Sequence, residues 1–136
     1  IIMMLNGALA GLVAITAEPL APTPGLAIVI GSIGALIMYF GTKMLESFGL
    51  DDVVGAIPVH MFAGIFGTLV VPVSNPDTAF GTQLIGTISV CAFSFVLSYA
   101  LFTALKTTVG LRISKAAEKQ GTDKAEIGVS AYSIRD

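Results

Sequence analysis

This chain contains apolar runs that are too long and too free of charge for an ordinary soluble domain. No charged residue occurs from Gly81 to Leu105, and the stretch from Gly25 to Thr42 is equally free of charge. An α-helix rises about 1.5 Å per residue, so roughly 20 mostly apolar residues cross the hydrocarbon core of a bilayer. The sequence therefore predicts an all-α transmembrane fold.

Four segments can be compared with that length. The first, residues 1–17, is short and ends at the turn-rich EPLAPTPG, whose three prolines cannot continue a helix. We interpret it as part of a span. Three further segments are each long enough to cross a bilayer, at about 25–45, 52–72 and 81–109. We therefore assign residues 1–110 to transmembrane helices and residues 111–136 to a tail.

Composition supports a membrane protein and argues against several other classes. Hydrophobic residues make up 54% of the chain and charged residues 12%, whereas a soluble domain is about one quarter charged. A net charge of -2 argues against a nucleic-acid partner, because phosphate binding needs a concentrated excess of Lys and Arg. Cys91 is the sole cysteine, which excludes an internal disulfide and a thiolate metal cage.

The opening residues IIMMLNGALAG carry no basic segment and no polar cleavage site, so they do not match a signal peptide. We expect the sequence to begin inside a transmembrane helix and to be the C-terminal piece of a longer protein.

The basic residues predict the orientation, because short cytoplasmic loops retain Lys and Arg. The loops at 18–24 and 73–80 contain neither residue, whereas the loop at 43–52 contains Lys43 and six of the seven basic residues lie beyond residue 100. With alternating spans, the tail and the 43–52 loop are expected in the cytoplasm. The two proline-containing loops are expected outside.

His60 is the only histidine, and it lies in the middle of an apolar span. At helical spacing its neighbours include Ala56, Ala63, Gly64 and Gly67, which would form a strip of small residues beside the imidazole. Such a side chain either packs against another helix or faces a narrow cavity. Polar side chains in a membrane are costly and tend to mark substrate or proton pathways, so we favour a functional role.

Asp51 and Asp52 stand at the predicted start of the same helix. A carboxylate there can cap free N–H groups and complement the positive end of the helix, which is the interpretation we favour. The alternative is that it attracts cations toward a pore.

Motifs of the common enzyme classes are absent: the sequence has no GxGxxG, P-loop, CxxC or HExxH. The five methionines are scattered over several spans without ligand spacing, so we expect apolar packing rather than a soft-metal site. We predict neither a catalytic activity nor a cofactor or metal.

Three blocks of the sequence resemble the last third of an ammonium transporter of the Amt/Rh superfamily. They are NGALAGLVAITA at 6–17, LDDVVGAIPVHMFAGIFGTL at 50–69 and VGLRISKAAEKQGTDKAEIGVSAY at 109–132. The resemblance implies a homotrimer in the cell membrane. Each subunit would be an eleven-helix bundle with inverted repeats and its own narrow hydrophobic pore for ammonium or ammonia. This chain would supply the end of the eighth span through the eleventh.

The resemblance also assigns roles to particular residues. His60 matches the second of two histidines that form a hydrogen-bonded pair in the family's pore. Asp52 resembles the family's aspartate at the start of that helix, and Thr16 resembles a threonine near the pore wall. In many bacteria the family's tail takes part in control by a PII-type protein. The family commonly has an acidic residue followed by His and Gly where this chain has Glu126, Ile127 and Gly128, so Ile127 replaces the His.

Two other functions compete with transport. One is an ammonium sensor that uses the same fold, with the tail reporting occupancy to a partner. The other is a helical piece that is inactive without the rest of its chain, since three spans and part of a fourth cannot enclose the expected pore.

Overall fold

The computed structural model describes residues 1–131. Residues 132–136, which include Arg135 and the end of the predicted tail, lie outside the described residues. Within the described residues five α-helices follow one another, a π-helical turn begins the third span, and another π-helical turn follows α5. The α-helices are α1 (Ile2–Thr16), α2 (Pro24–Ser47), α3 (Ala63–Ser74), α4 (Phe80–Thr108) and α5 (Lys115–Gln120), and the π-helical turns are Ile57–Phe62 and Asp123–Ile127.

Within residues 1–131, three helices are long and apolar enough to cross a membrane: Pro24–Ser47, Ile57–Ser74 and Phe80–Thr108. Helix α1 is apolar but shorter. The secondary structure of the described part is helical, with no strand. The predicted all-α fold is confirmed.

Residues 1–92 form one compact unit in which α1, α2 and the third span pack against one another. Its core consists of the buried residues Ala10, Met38, Val59 and Ala63, and no polar residue of the described part is buried over its whole surface. Since alanine contributes little apolar area, close approach of the backbones stabilises this packing more than large side chains do.

Ala14 of α1 shows how close that approach is. A methyl group added at Gly34 of α2 would stand 2.7 Å from Ala14 Cβ and 2.9 Å from the carbonyl oxygen of Ala10. One added at Gly67 of α3 would stand 2.9 Å from Ala14 Cα. Helix α1 therefore needs glycine on both neighbouring helices at the level of Ala14.

The third span begins later than predicted. The sequence placed its start at about residue 52, but the helical turn begins at Ile57. The reason is local: Gly55 adopts a φ of +75°, a left-handed conformation that ends the preceding loop and that L side chains rarely adopt. Asp52 lies before this reversal and reaches forward to the helix with its side chain.

The loops after α1 and α3 lie at the same end of this unit. The side-chain amide Nδ2 of Asn75, at the end of α3, donates to Glu18 Oε2 at 3.2 Å. The two proline-containing loops are thus on one side, and the loop between α2 and the third span lies at the other end of α1, beside Asn6.

Residues 93–131 belong to a second compact unit, which contains the rest of α4 and the described part of the tail. The Ser114 hydroxyl accepts from the N–H of Ala117 at 3.2 Å and caps α5. In the π-helical turn that follows, the backbone N–H of Ala131 donates to Asp123 Oδ2 at 2.8 Å, and this bond holds the pKa of Asp123 below its ordinary value. The tail therefore has its own short, capped structure.

Candidate functional site

His60 is exposed and borders an open cavity of about 310 Å³ between the third span and the first part of α4. The cavity is lined mainly by small, apolar and weakly polar side chains: His60, Met61, Gly64, Ile65, Thr68, Gly86, Thr87, Val90 and Cys91. Among these lining residues none carries a carboxylate, an ammonium or a guanidinium group. The imidazole is therefore the strongest polar group of the cavity.

A π-helical turn presents this imidazole. The N–H of Ala63 donates to the carbonyl of Pro58, five residues earlier, as well as to the carbonyl of His60. Pro58 and Phe62 fit against Gly41 of α2, where an added methyl group would stand 3.2 Å from Pro58 Cβ. The absence of a side chain at Gly41 thus gives the wide turn room to pack.

The predicted strip of small residues is split by this turn. Gly64 lies beside His60 in the cavity lining, but Ala63 is buried in the core and Gly67 contacts Ala14 of α1. The strip was derived from the 3.6-residue period of an α-helix, whereas a π-helical turn closes its hydrogen bonds over five residues and changes the direction of the side chains that follow.

Two hydroxyl groups and a thiol accompany the imidazole. Thr68 donates to the carbonyl of Gly64 at 3.0 Å, so its hydroxyl is already bonded within its own helix. Thr87 Oγ1 is buried and has no hydrogen-bond partner among the described residues. Cys91 is a free, half-buried thiol. Weak hydrogen-bonding capacity is therefore present on both walls of the cavity.

The aspartates lie in a different place. Asp51 and Asp52 line a separate cleft of about 190 Å³ beside Glu46 at the start of the third span. The Asp52 carboxylate accepts from the N–H of Ala56 at 2.9 Å and from that of Ile57 at 2.8 Å. These two bonds satisfy donors that the helix itself leaves free.

Thr16 is exposed at the last turn of α1, and its hydroxyl donates to the carbonyl of Leu12 at 2.6 Å. It is not among the residues that line the His60 cavity. Among the described residues, the structure therefore places His60, Asp52 and Thr16 at three separate positions on the helices.

Comparison with known proteins finds relatives that are all named as ammonium transporters. The model of the Ammonium Transporter Family matches residues 1–132. The chain belongs to this family. It is 39% identical to ammonium transporter Amt2 of Archaeoglobus fulgidus over 96% of this chain and 32% of that protein. It is 36% identical to ammonium transporter Amt1 of Haloferax mediterranei over 95% of this chain and 26% of the relative. It is 33% identical to ammonium transporter 1 of Schizosaccharomyces pombe over 96% and 31%.

These figures also give the extent of the match. The chain spans about a quarter to a third of the length of these curated relatives. The family resemblance recognised from the sequence is confirmed, and it extends over nearly the whole chain.

Sequence reasoning missed the α4 wall of the cavity. Gly86, Thr87, Val90 and Cys91 were interpreted only as parts of an apolar span or as packing residues. Their spacing of one helical turn, with small or weakly polar side chains, places them on one face of α4. The spacing could have identified this face of α4 from the sequence. It does not indicate which other helix the face meets.

Replacing Asp52 by alanine is expected to destabilise the protein by about 0.5–2 kcal/mol, the usual effect of deleting a helix cap. The N–H groups of Ala56 and Ile57 would lose their acceptor. Thermal unfolding of the full-length protein in detergent measures this change. Asp51→Ala is the matched control, because Asp51 is exposed and its side chain makes no hydrogen bond within residues 1–131. Equal losses for both variants would contradict the capping role.

Proposed function

We propose that this chain is part of a transporter that moves ammonium or ammonia across the membrane, with His60 as a polar group of the pathway. The observation that carries the proposal is the position of His60 on a cavity whose other lining residues bear no permanent charge. Membership of the ammonium transporter family supports the choice of substrate.

The chemistry of the substrate explains why such a lining suits it. Ammonium and potassium are both monovalent cations, and an apolar pathway rejects both because removing their water is too costly. Ammonium can release a proton and continue as neutral ammonia, which potassium cannot do. An imidazole has both a donor and an acceptor nitrogen, so it can bond ammonia and can accept the released proton.

The assembly that we propose is the one implied by the family: a homotrimer of eleven-helix subunits with inverted repeats. In this arrangement His60 is paired with a second histidine from the other half of the bundle. Large exposed apolar side chains along α4, including Phe93, Phe95 and Val96, support further helix or lipid contacts for this chain. None of the residues of α4 is buried within the described structure.

We further propose that Thr16 lies near the pore wall, with Asp51 and Asp52 at the cytoplasmic start of the pore helix. In the same orientation the tail is cytoplasmic in a multi-pass cell-membrane protein, and the basic residues beyond residue 100 support this side. A PII-type regulatory protein is the proposed partner of the tail. Ile127, three-quarters exposed, stands where the family pattern has a polar residue, so the contact would be more apolar here.

Flux measurements on the full-length protein in proteoliposomes test this function. An imposed ammonium gradient is expected to produce a flux through the protein that far exceeds the leak of protein-free vesicles, while a potassium gradient produces none. An ammonium sensor would bind its ligand but give no such flux. Ligand binding without flux would therefore reject transport and favour the receptor function.

A further inference from the structure

We propose that Asn6 of α1 is a positioning residue for His60: it holds the loop from which the His60 turn begins. The inference rests on the proposed function, because it assigns Asn6 an effect on the pathway through the imidazole. Asn6 lies 54 positions before His60 in the sequence and is not a lining residue of the His60 cavity. Its role can therefore be separated from direct contact with substrate.

One hydrogen bond joins Asn6 to the loop. Asn6 Nδ2 donates to the carbonyl oxygen of Val54 at 2.9 Å, across 48 positions of sequence. The next residue, Gly55, presses its backbone against the same amide, since an added methyl group there would stand 2.5 Å from Asn6 Nδ2. The amide thus contacts two consecutive loop residues, Val54 and Gly55, and its hydrogen bond holds that loop against α1.

Hydrogen bonds within the loop also restrain it. Gly55 has a φ of +75°, its N–H donates to the carbonyl of Asp52 at 3.1 Å, and its own carbonyl accepts from the N–H of Val59 at 3.1 Å. The Asp52 carboxylate holds the N–H groups of Ala56 and Ile57. These bonds make the loop and the first helical turn a single hydrogen-bonded piece, and among the described side chains of the other helices Asn6 alone hydrogen-bonds to it.

His60 lies five residues after Gly55, within the π-helical turn Ile57–Phe62. A π-helical turn is wider and less regular than an α-helical turn, so the direction of its side chains depends on how the turn is entered. Val59 is buried in the core and cannot take up a rotation without losing contacts. A shift of the loop would therefore change the direction of the imidazole relative to the cavity.

The test uses the full-length protein in proteoliposomes and measures methylammonium uptake together with the amount of folded transporter in the vesicles. Asn6→Asp keeps the shape of the side chain but replaces the donating NH₂ by an oxygen that faces the carbonyl of Val54. We expect the ratio of methylammonium uptake to the amount of folded transporter in the vesicles to fall roughly fivefold, about the effect of losing one hydrogen bond. His60→Ala should move the same ratio in the same direction, and adding Asn6→Asp to it should change the ratio no further.

A ratio is used because a purely structural role would reduce the amount of folded transporter and leave the uptake per folded molecule unchanged. Ser32→Ala is the matched control: it removes a hydroxyl that donates to Ile28 within α2, at 2.7 Å, and it should leave the ratio unaltered. Asn6→Ala is the second variant, in case the aspartate prevents assembly. Lower uptake with an unchanged ratio in both variants, or failure of both to fold, would overturn the positioning role.

Failure of the proposed function gives a different result. If His60→Ala leaves both uptake and ratio at their original values, then His60 does not belong to the pathway. If His60→Ala lowers the ratio while both Asn6 variants keep it, only the role assigned to Asn6 is rejected.

Discussion

Uptake of methylammonium by the full-length protein is expected to fall by roughly 10- to 100-fold when His60 is replaced by alanine. A hydrogen bond to a charged or proton-sharing group contributes about 1.5–3 kcal/mol, and each 1.36 kcal/mol corresponds to a factor of ten in rate. The cavity beside His60 offers only hydroxyl groups and a thiol as substitutes, and the Thr68 hydroxyl is already bonded to Gly64. Ammonia would therefore lose its main partner on this stretch of the pathway.

Variants at neighbouring positions sharpen this expectation. His60→Gln keeps one donor and one acceptor but cannot take up a proton near neutral pH, so it separates hydrogen bonding from proton transfer. Met61→Leu is the matched control, since Met61 lines the same cavity and the exchange conserves volume. Uptake should be kept in Met61→Leu. Equal uptake and equal potassium exclusion in His60→Ala and the unmodified protein would remove His60 from the pathway.

The fold class followed from the sequence because long uncharged runs allow few structures. The charge-free stretch from Gly25 to Thr42 lies within α2, and that from Gly81 to Leu105 lies within α4. The family followed from three blocks of residues whose order and spacing match an ammonium transporter. Both inferences rest on patterns along the chain, which a single sequence displays directly.

The interior of the candidate site could not be predicted in the same way. The π-helical turn at Ile57–Phe62 packs against Gly41 of α2, and the loop before it accepts a hydrogen bond from the amide of Asn6. Both contacts join residues that are distant in sequence. A helical wheel assumes an unbroken 3.6-residue period, so it placed Ala63 and Gly67 beside His60. In the structure Ala63 is buried in the core and Gly67 packs against Ala14 of α1.

The same distant contacts predict the largest loss of stability. Gly34→Val is expected to destabilise the full-length protein by about 3 kcal/mol or more, at the upper end of the range for overpacked cores. The first added carbon would already stand 2.7 Å from Ala14 Cβ and 2.9 Å from a backbone oxygen of α1, and neither atom belongs to a flexible side chain. Helix α1 cannot retreat, because Gly67 of α3 touches the backbone of Ala14 as well.

Gly25→Val is the matched control on the same helix, since an added methyl group at Gly25 meets nothing within 4 Å. Its thermal midpoint in detergent should stay close to that of the unmodified protein, because surface substitutions of this kind change stability by about 0.5 kcal/mol or less. Gly34→Val should lower the midpoint and weaken the packing of α1 between its two neighbours. Equal midpoints for the two variants would mean that α1 and α2 can separate without loss, and that close backbone approach does not hold this unit together.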